Sequence, residues 1–495
     1  MQIETSGIAV EHWPVEHWTA HQWLIAAGLS EARGDYAEAF AGYTNALRLD
    51  PMNLDGMECL ARIHERSGDR EGAITWLHQA IAASRGQLKF QLLLAAQLEC
   101  DRQLDAAVEL LTGLQAQHPD DPRVLAALGS SLLLRGELAD GEALLRRAVE
   151  LAPDSAPVRT QYAIGLWRLH RWDHALAQLE HAERDQPDNL HTRFVKSHLL
   201  LELGDYHRGY ADRESFDAHY PPRLRERAWM GETLAGKQLL VYAQHGLGDT
   251  LQYVRYVDTL QRLGAIVTLM VQPPLLPLLR NIAGAARVLT LVDPVPAHDL
   301  QVRLMDIPGI LGHAVDEVPR EIPYLHAEPQ RIRQQLTRLQ SFARPWVGIC
   351  WQGNPRQKDG LIRSCELATL ARVGEAGATL ISLQRGVDSR ELAAHGVVDI
   401  PELDADAPFL DTAALIQCLD LVISVDTSVA HVAGALGAKV WMLLPYWSDW
   451  RWMIERTDTP WYPTMRLFRQ DRPHSWDSVI HRVTRELSDL VARSK

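Results

Sequence analysis

At 495 residues, 46% of them hydrophobic and 23% charged, the chain has the composition of a globular protein and the length of roughly two to four domains. A formal net charge of -13 argues against broad binding to nucleic acid or to an anionic membrane and leaves room only for a local basic groove. Five scattered cysteines, Cys59, Cys100, Cys350, Cys365 and Cys418, form no CxxC pair, which fits a reducing cytoplasm and supplies no metal framework.

The opening MQIETSGIAVEHW lacks a basic n-region and an apolar h-region, so no signal peptide is expected. No apolar run approaches the ~20 residues of a spanning helix. The expectation is a cytoplasmic protein with no stable membrane insertion and no nucleic-acid partner.

After a lead at 1–20, the segment 21–215 repeats. Gly34, Gly68, Gly136 and Gly204 are separated by 34 residues or its multiples, with Arg102 and His170 in the skipped slots. Pro51, Pro119, Pro153 and Pro187 keep the same period, and Arg85 occupies their missing slot. Ala46, Ala80, Ala148 and Ala182 form a third register, and Ala39, Ala73, Ala107 and Ala175 a fourth. Small residues let paired helices approach, the glycine makes the turn between them, and proline follows the second helix. A 34-residue period of this kind is the signature of the tetratricopeptide repeat, and the register gives about six units, the last decaying after Gly204. Such a solenoid suits an extended peptide or a partner helix, the plain alternative being a scaffold.

Beyond Trp229 the pattern changes to strand and helix in alternation. Strands are expected at 237–244, 265–272, 286–291 and 299–308, a polar helical divider at 327–343, and further strands at 346–353, 378–386, 420–428 and 439–445. Two consecutive doubly wound parallel halves follow, 216–326 and 327–495, with ligands beyond the carboxyl ends of the strands. The fold class is therefore α + α/β, an α-solenoid followed by two Rossmann-like halves.

Three strand ends carry chemistry. In VYAQHGLGDTLQYVRYV, His245, Gly246, Gly248 and Gln252 surround Asp249, a carboxylate able to accept a proton at a cleft mouth or simply to cap the following helix. In ICWQGNPRQKDGLIRS, a turn at Gly353, Asn354 and Pro355 precedes Lys358 and Arg363, cations suited to a diphosphate or, more plainly, to a solvated loop. In LVISVDTSVAHVAGALG, Asp426, Thr427 and Ser428 open a helix that carries His431 and form a ready anion site. The plain alternative makes Asp426 an N-cap and His431 a core residue.

Together with ISLQRG and the tail WRWMIERTDTPWYPTMRLFRQ, these motifs resemble the heptosyltransferase-like glycosyltransferases of family nine type, and more closely bacterial proteins in which a tetratricopeptide array precedes that domain. The resemblance implies a GT-B-type pair of lobes, acceptor side first and nucleotide-sugar side second. It implies inverting transfer without a metal or other cofactor, with a protein acceptor, flagellin among the plausible ones, bound by the array. Asp249 is then the general base or an acceptor-positioning residue. Gly353, Asn354, Lys358, Arg363, Asp426, Thr427, Ser428 and His431 hold the donor, and Gln384 lies where the nucleotide belongs. Many members of the family have Gly where this chain has Ser428, so ADP-heptose is not assumed as the donor. Six tryptophans lie between Trp441 and Trp476. Packing of a C-terminal helix back onto the other lobe accounts for Trp452 and Trp461, while Asp449, Trp450 and Arg451 border the donor pocket. The rival reading is an adaptor whose transferase domain is inert, and a third is a transferase acting on a glycan.

Overall fold

The computed structural model describes residues 18–219, 224, 227–354 and 362–494. They form two compact units, Met1–Gln178 and Leu179–Lys495. Most of the lead, and the segment 355–361 with Pro355 and Lys358, lie outside the described residues.

The first unit is built of antiparallel helix pairs: Ala20–Arg33 with Tyr36–Leu49, Leu54–Ser67 with Arg70–Ala83, Leu88–Cys100 with Leu104–Gln117, and Pro122–Arg135 with Leu138–Leu151, followed by Ala156–Arg168. Each first helix ends on one residue in the left-handed conformation. Gly34, Gly68 and Gly136 take φ of 83°, 78° and 100°. Around Gly136 the turn closes as a Schellman motif, Gly136 N–H to Leu133 O at 3.0 Å and Glu137 N–H to Leu132 O at 2.9 Å. The skipped slots keep the same geometry without glycine: Arg102 has φ 63° and His170 φ 58°, and each, with the residue after it, donates the same pair of backbone bonds. The period therefore marks a backbone conformation, and glycine is only its least costly occupant. The second helices stop at Leu49, Gln117 and Leu151, two residues before the register prolines. Ala39, Ala46, Ala73, Ala80, Ala107 and Ala148 are fully buried at the helix crossings. Where Pro122–Arg135 crosses Leu138–Leu151, a Cβ on Gly129 would stand 2.8 Å from the Gly141 carbonyl oxygen.

The boundary between the compact units, at 178/179, falls inside the helix Trp172–Asp185, so the sixth repeat lies in the second unit. Its second helix is shortened to Tyr206–Tyr210. Tyr206, 1% exposed, packs on Trp450 and Trp461 at ring distances of 5.9 and 6.4 Å. The decay of the pattern after Gly204 thus has a physical cause: these residues enter the core of an α/β region.

That region holds two parallel sheets. β1 (Gln238–Tyr242), β2 (Ile266–Val271), β3 (Ala285–Thr290) and β4 (Leu300–Arg303) form the first, in the order β3-β2-β1-β4. β5 (Trp346–Cys350), β6 (Thr379–Ser382), β7 (Val397–Val398), β8 (Leu421–Val425), β9 (Val440–Leu444) and β10 (Met465–Arg469) form the second, in the order β10-β9-β8-β5-β6-β7. All described strand pairs are parallel. β5, β8 and β9 are buried along their whole length, which is why they read as unbroken apolar runs. The eight expected strands are all present, seven of them shorter and β3 of equal length but displaced by one residue. The segment 299–308 is a strand only to Arg303 and then turns helical. β7 and β10, both at sheet edges, were not anticipated. The divider is the helix Pro329–Leu339.

The C-terminal helix Asp477–Ser494 lays Val479, Ile480, Val483 and Leu487 on the second sheet. It does not pack back on the first sheet as expected. The segment Trp450–Tyr462 does so instead, joining the core of β1 and β2. No described helix is long and apolar enough to cross a membrane.

The left-handed slots give a direct test. Nothing lies within 4 Å of a Cβ built on Gly136, so Gly136→Ala carries only a backbone penalty. It should lower unfolding free energy by about 1–2 kcal/mol in a denaturant titration, with no change in helicity.

Candidate functional site

Five strand ends open on one cavity of about 450 Å³. Its wall contains Gly246, Gly248 and Asp249 after β1, Gly353, Asn354 and Arg363 after β5, and Gln384 after β6. Asp426, Thr427, Ser428 and His431 follow β8, and Arg451 follows β9. The parallel arrangement produces this convergence, because all carboxyl ends of a parallel sheet point the same way.

Asp249 is the third residue of the short helix Leu247–Tyr253. Its Oδ2 accepts the Gly246 N–H at 2.8 Å, so it does cap the helix. Its Oδ1 accepts from Arg451 Nη2 at 2.5 Å. Capping and a place on the cavity wall are therefore both properties of this one carboxylate. Gly248 is required by a close approach: a Cβ there would lie 2.8 Å from His431 Cδ2 and 3.1 Å from Nε2.

Asp426 does not cap the following helix; Thr427 holds that position in extended conformation. The Asp426 carboxylate instead accepts the Trp452 indole N–H at 2.9 Å and lies 3.6 Å from His431 Nε2 and 4.0 Å from Arg363. Burial by itself would raise this carboxyl. The contacts from His431, the charge of Arg363 and the Trp452 donor outweigh burial and hold it well below the usual carboxylate range. His431 Nδ1 lies 2.9 Å from the Tyr462 hydroxyl. With Asp426 beside Nε2, the proton belongs on Nε2, and Nδ1 accepts from Tyr462. His431 is thus a satisfied buried histidine and at the same time part of the wall. Trp452, expected only as packing, orients Asp426.

Gln384 Oε1 accepts the Gln352 N–H at 3.0 Å, which pins the turn after β5. Gly353 N–H donates to Ser364 Oγ at 3.1 Å. Thr427 Oγ1 lies 3.0 Å from Ser424 Oγ, and with Ser428 it brings the start of the helix Ser428–Ala435 to the cavity.

Two residues fall elsewhere. His245 is on the wall of a smaller cavity with Asp249, Thr250 and Arg303, where burial lowers its imidazole pKa against the pull of Asp249. Gln252 is fully buried and absent from the cavity wall. It lies in the last turn of a seven-residue helix packed into the core, which turns it away from the cavity. Lys358 lies outside the described residues.

Of Asp449, Trp450 and Arg451, expected to border the pocket, only Arg451 is among the wall residues; its pairing with Asp249 and the wall formed by Arg385, Asp404, Phe409 and Thr412 were not legible in the sequence. Arg451 is 9% exposed, and its Nη1 also meets Asp449 at 2.7 Å. Asp404 accepts the N–H groups of Asp411 and Thr412 at 2.8 and 3.0 Å and the Thr412 hydroxyl at 2.6 Å. Asp404 and Phe409 both have left-handed backbones, φ 58° and 65°. Strain of this kind persists where surrounding contacts fix it, often at ligand sites; the run LDADAPF was the only trace of it in the sequence. Three arginines on the wall each face an aspartate: Arg451 with Asp249 at 2.5 Å, Arg385 with Asp404 at 3.5 Å and Arg363 with Asp426 at 4.0 Å. Among the described residues no group of three or more His, Cys, Asp or Glu is placed to hold a metal ion.

Two models of the tetratricopeptide repeat match the chain, over residues 29–87 and 101–165. Protein FlbA of Caulobacter vibrioides is 26% identical over 506 residues, a match that covers 94% of this chain and 84% of FlbA and so runs well beyond the repeats. A thermophilic TPR protein in Thermus thermophilus is 24% identical, covering 37% of this chain and 100% of that one, with a TM-score of 0.32. MamA from Desulfovibrio magneticus is 17% identical, covering 34% and 96%, with a TM-score of 0.28. The chain therefore carries tetratricopeptide repeats, a protein-binding architecture, ahead of a parallel-sheet α/β region.

Two outcomes are expected from this geometry. Gly248→Ala forces the new methyl against a His431 ring that Tyr462 and Asp426 hold in place. It should lower stability by about 1–3 kcal/mol, measured by chemical denaturation. Asp426→Asn should cost about 2 kcal/mol at pH 7, the range of a hydrogen bond to a charged group. Because the folded carboxyl is held low, its contribution is present above the ordinary carboxylate pKa of about 4 and is lost as pH falls through the folded value. The gap between wild type and Asp426→Asn should therefore narrow below a pH of about 4.

Proposed function

We propose that the protein is an inverting glycosyltransferase that moves a sugar from a nucleotide-activated donor to a serine or threonine of a protein recruited by the tetratricopeptide array. The observation that carries this reading is the single cavity in which Asp249, from the first sheet, meets Arg363, Thr427, Ser428 and Arg451 from the second. In this reading the two sheets are the lobes of a GT-B-type domain.

The donor diphosphate lies against Thr427, Ser428 and the start of their helix, where a dipole end and hydroxyl donors favour an anion. The arginines supply the positive charge that developing negative charge on the leaving group requires. The acceptor hydroxyl gives its proton to Asp249 as its oxygen bonds to the anomeric carbon. The bond from that carbon to the phosphate oxygen breaks, and the nucleoside diphosphate departs. Attack from the side opposite the leaving group inverts the anomeric centre. The repeats hold the acceptor polypeptide, with flagellin as the acceptor that the family resemblance implies. The FlbA match extends across repeats and α/β region alike, so the two parts are also joined in that protein.

One observation favours the rival, an adaptor with an inert domain: Asp249 is already engaged by Arg451. Nucleotide binding separates the two readings. Thermal unfolding with ADP, UDP, GDP, CMP and CDP should pick out one nucleotide that stabilises the chain, by about 2.7 kcal/mol at 100 times its dissociation constant, and Arg363→Gln should lose most of the gain. No shift with any of them leaves the adaptor. In the transfer assay Asp249→Asn should lower turnover about 100- to 10,000-fold. Removal of residues 1–178 should abolish transfer to protein while nucleotide binding persists.

A further inference from the structure

We propose that Asp249 and the donor diphosphate compete for Arg451, so that the carboxylate is released to accept a proton only once the donor is bound. The inference rests on the glycosyltransferase reading above and adds to it an order of events.

Both Asp249 oxygens are occupied, one by the Gly246 N–H at 2.8 Å and one by Arg451 Nη2 at 2.5 Å. Each oxygen can still accept a further hydrogen bond, but a hydroxyl that approaches Oδ1 meets the guanidinium, whose positive charge opposes the arrival of a proton there. The Gly246 donor is fixed by the backbone of the helix start. The guanidinium sits at the end of a side chain, on the cavity wall, and retains Asp449 at 2.7 Å as a second partner. Its Nε, though buried, has no hydrogen-bond partner among the described residues. Arg451 is therefore the group with a donor to spare, and it keeps its anchor on Asp449 if it turns from Asp249. Its planar fork suits two phosphate oxygens, and a doubly charged diphosphate attracts it more strongly than one carboxylate.

The other two pairs on the wall behave differently. If Arg363 turns to a ligand, Asp426 keeps the Trp452 indole N–H and His431. If Arg385 turns, Asp404 keeps two backbone N–H groups and the Thr412 hydroxyl. Asp249 alone is left with a single backbone donor and an oxygen open to a new partner. Of three aspartates that each face an arginine, the geometry singles out Asp249 as the one that ligand binding exposes. The proton of the acceptor hydroxyl ends on Asp249, and the electron pair of the cleaved carbon–oxygen bond ends on the phosphate oxygen, now beside Arg451. With no donor bound, the base stays covered, which also protects against futile proton transfer.

The test is a thermodynamic cycle on the full chain, by calorimetric titration with inorganic pyrophosphate and with the nucleotide that stabilises the wild type. Arg451→Gln should weaken binding about tenfold or more, and Asp249→Asn should tighten it by about tenfold, within the usual range of site coupling. In the Arg451→Gln background, Asp249→Asn should bring no gain. The competition is overturned if Asp249→Asn leaves affinity unchanged or lowers it. It is equally overturned if the gain persists without Arg451, since simple removal of a negative charge would then explain it. Should Arg451→Gln not fold, Arg451→Met replaces it in the same cycle, and loss of the Asp249→Asn gain in that background still decides. Absence of any binding to the wild type would remove the glycosyltransferase reading itself; binding with additive effects would remove only the competition.

Discussion

The geometry of the cavity depends on a buried cation that no carboxylate contacts among the described residues. Arg255, just past the helix that carries Asp249, is 5% exposed. Its nitrogens donate to the carbonyls of Gln252 at 2.9 Å, Pro319 at 2.8 Å and Trp461 at 2.6 Å, and to the Tyr324 hydroxyl at 2.9 Å. Its guanidinium carbon lies 4.5 Å from the Tyr324 ring centre and 4.8 Å from that of Tyr462. A buried charge is tolerated only when its donors are satisfied, and carbonyl groups and aromatic faces do this here. The consequence is positional. Three stretches of chain, 252–255, 319–324 and 461–462, must stay where the guanidinium can reach them all.

From that anchor a continuous set of contacts runs to the site. Tyr462, beneath Arg255, hydrogen-bonds His431 at 2.9 Å; His431 faces Asp426; Asp426 takes the Trp452 indole N–H at 2.9 Å. Two glycines let this set close. A Cβ on Gly434 would meet the Tyr462 ring at 2.5 Å, and one on Gly248 would meet His431 at 2.8 Å. The helix after β1 and the helix after β8 therefore touch through a glycine and a histidine. The distance across the cavity is set by packing, and the arginine–aspartate pairs on its wall adjust within that frame.

The sequence showed whatever repeats or lies close in the chain. The 34-residue period located the helix pairs because each repeat needs the same left-handed turn, and even the exceptions, Arg102 and His170, sat in the right slots. Buried parallel strands announced themselves as apolar runs, and the polar residues at their ends pointed to the cavity. What stayed hidden was pairing at long range. Nothing near Asp249 in the chain indicates Arg451, and nothing near Asp426 indicates Trp452. Edge strands β7 and β10 were missed because one is only two residues long and the other carries Arg466 on its exposed face. Gln252 was misplaced because a strand-to-helix motif fixes the position of its first turn, whereas the face that later residues present depends on what the helix packs against.

The sixth repeat shows how the two kinds of structure join along the chain. It keeps the register glycine, Gly204 with φ 85°, and the aspartate cap of the next helix, Asp205 accepting the Arg208 N–H at 3.1 Å. Yet that helix ends at Tyr210, and Tyr206 and Tyr210 turn toward Trp450. A repeat array needs a terminal unit whose apolar face is covered, and a seventh repeat is the usual solution. Here the cover is the aromatic segment that also positions Arg451 and Trp452. The surface that ends the repeats and the surface that presents Arg451 to the cavity and Trp452 to Asp426 are two sides of one short stretch, Trp450–Trp452, so its sequence answers to both at once.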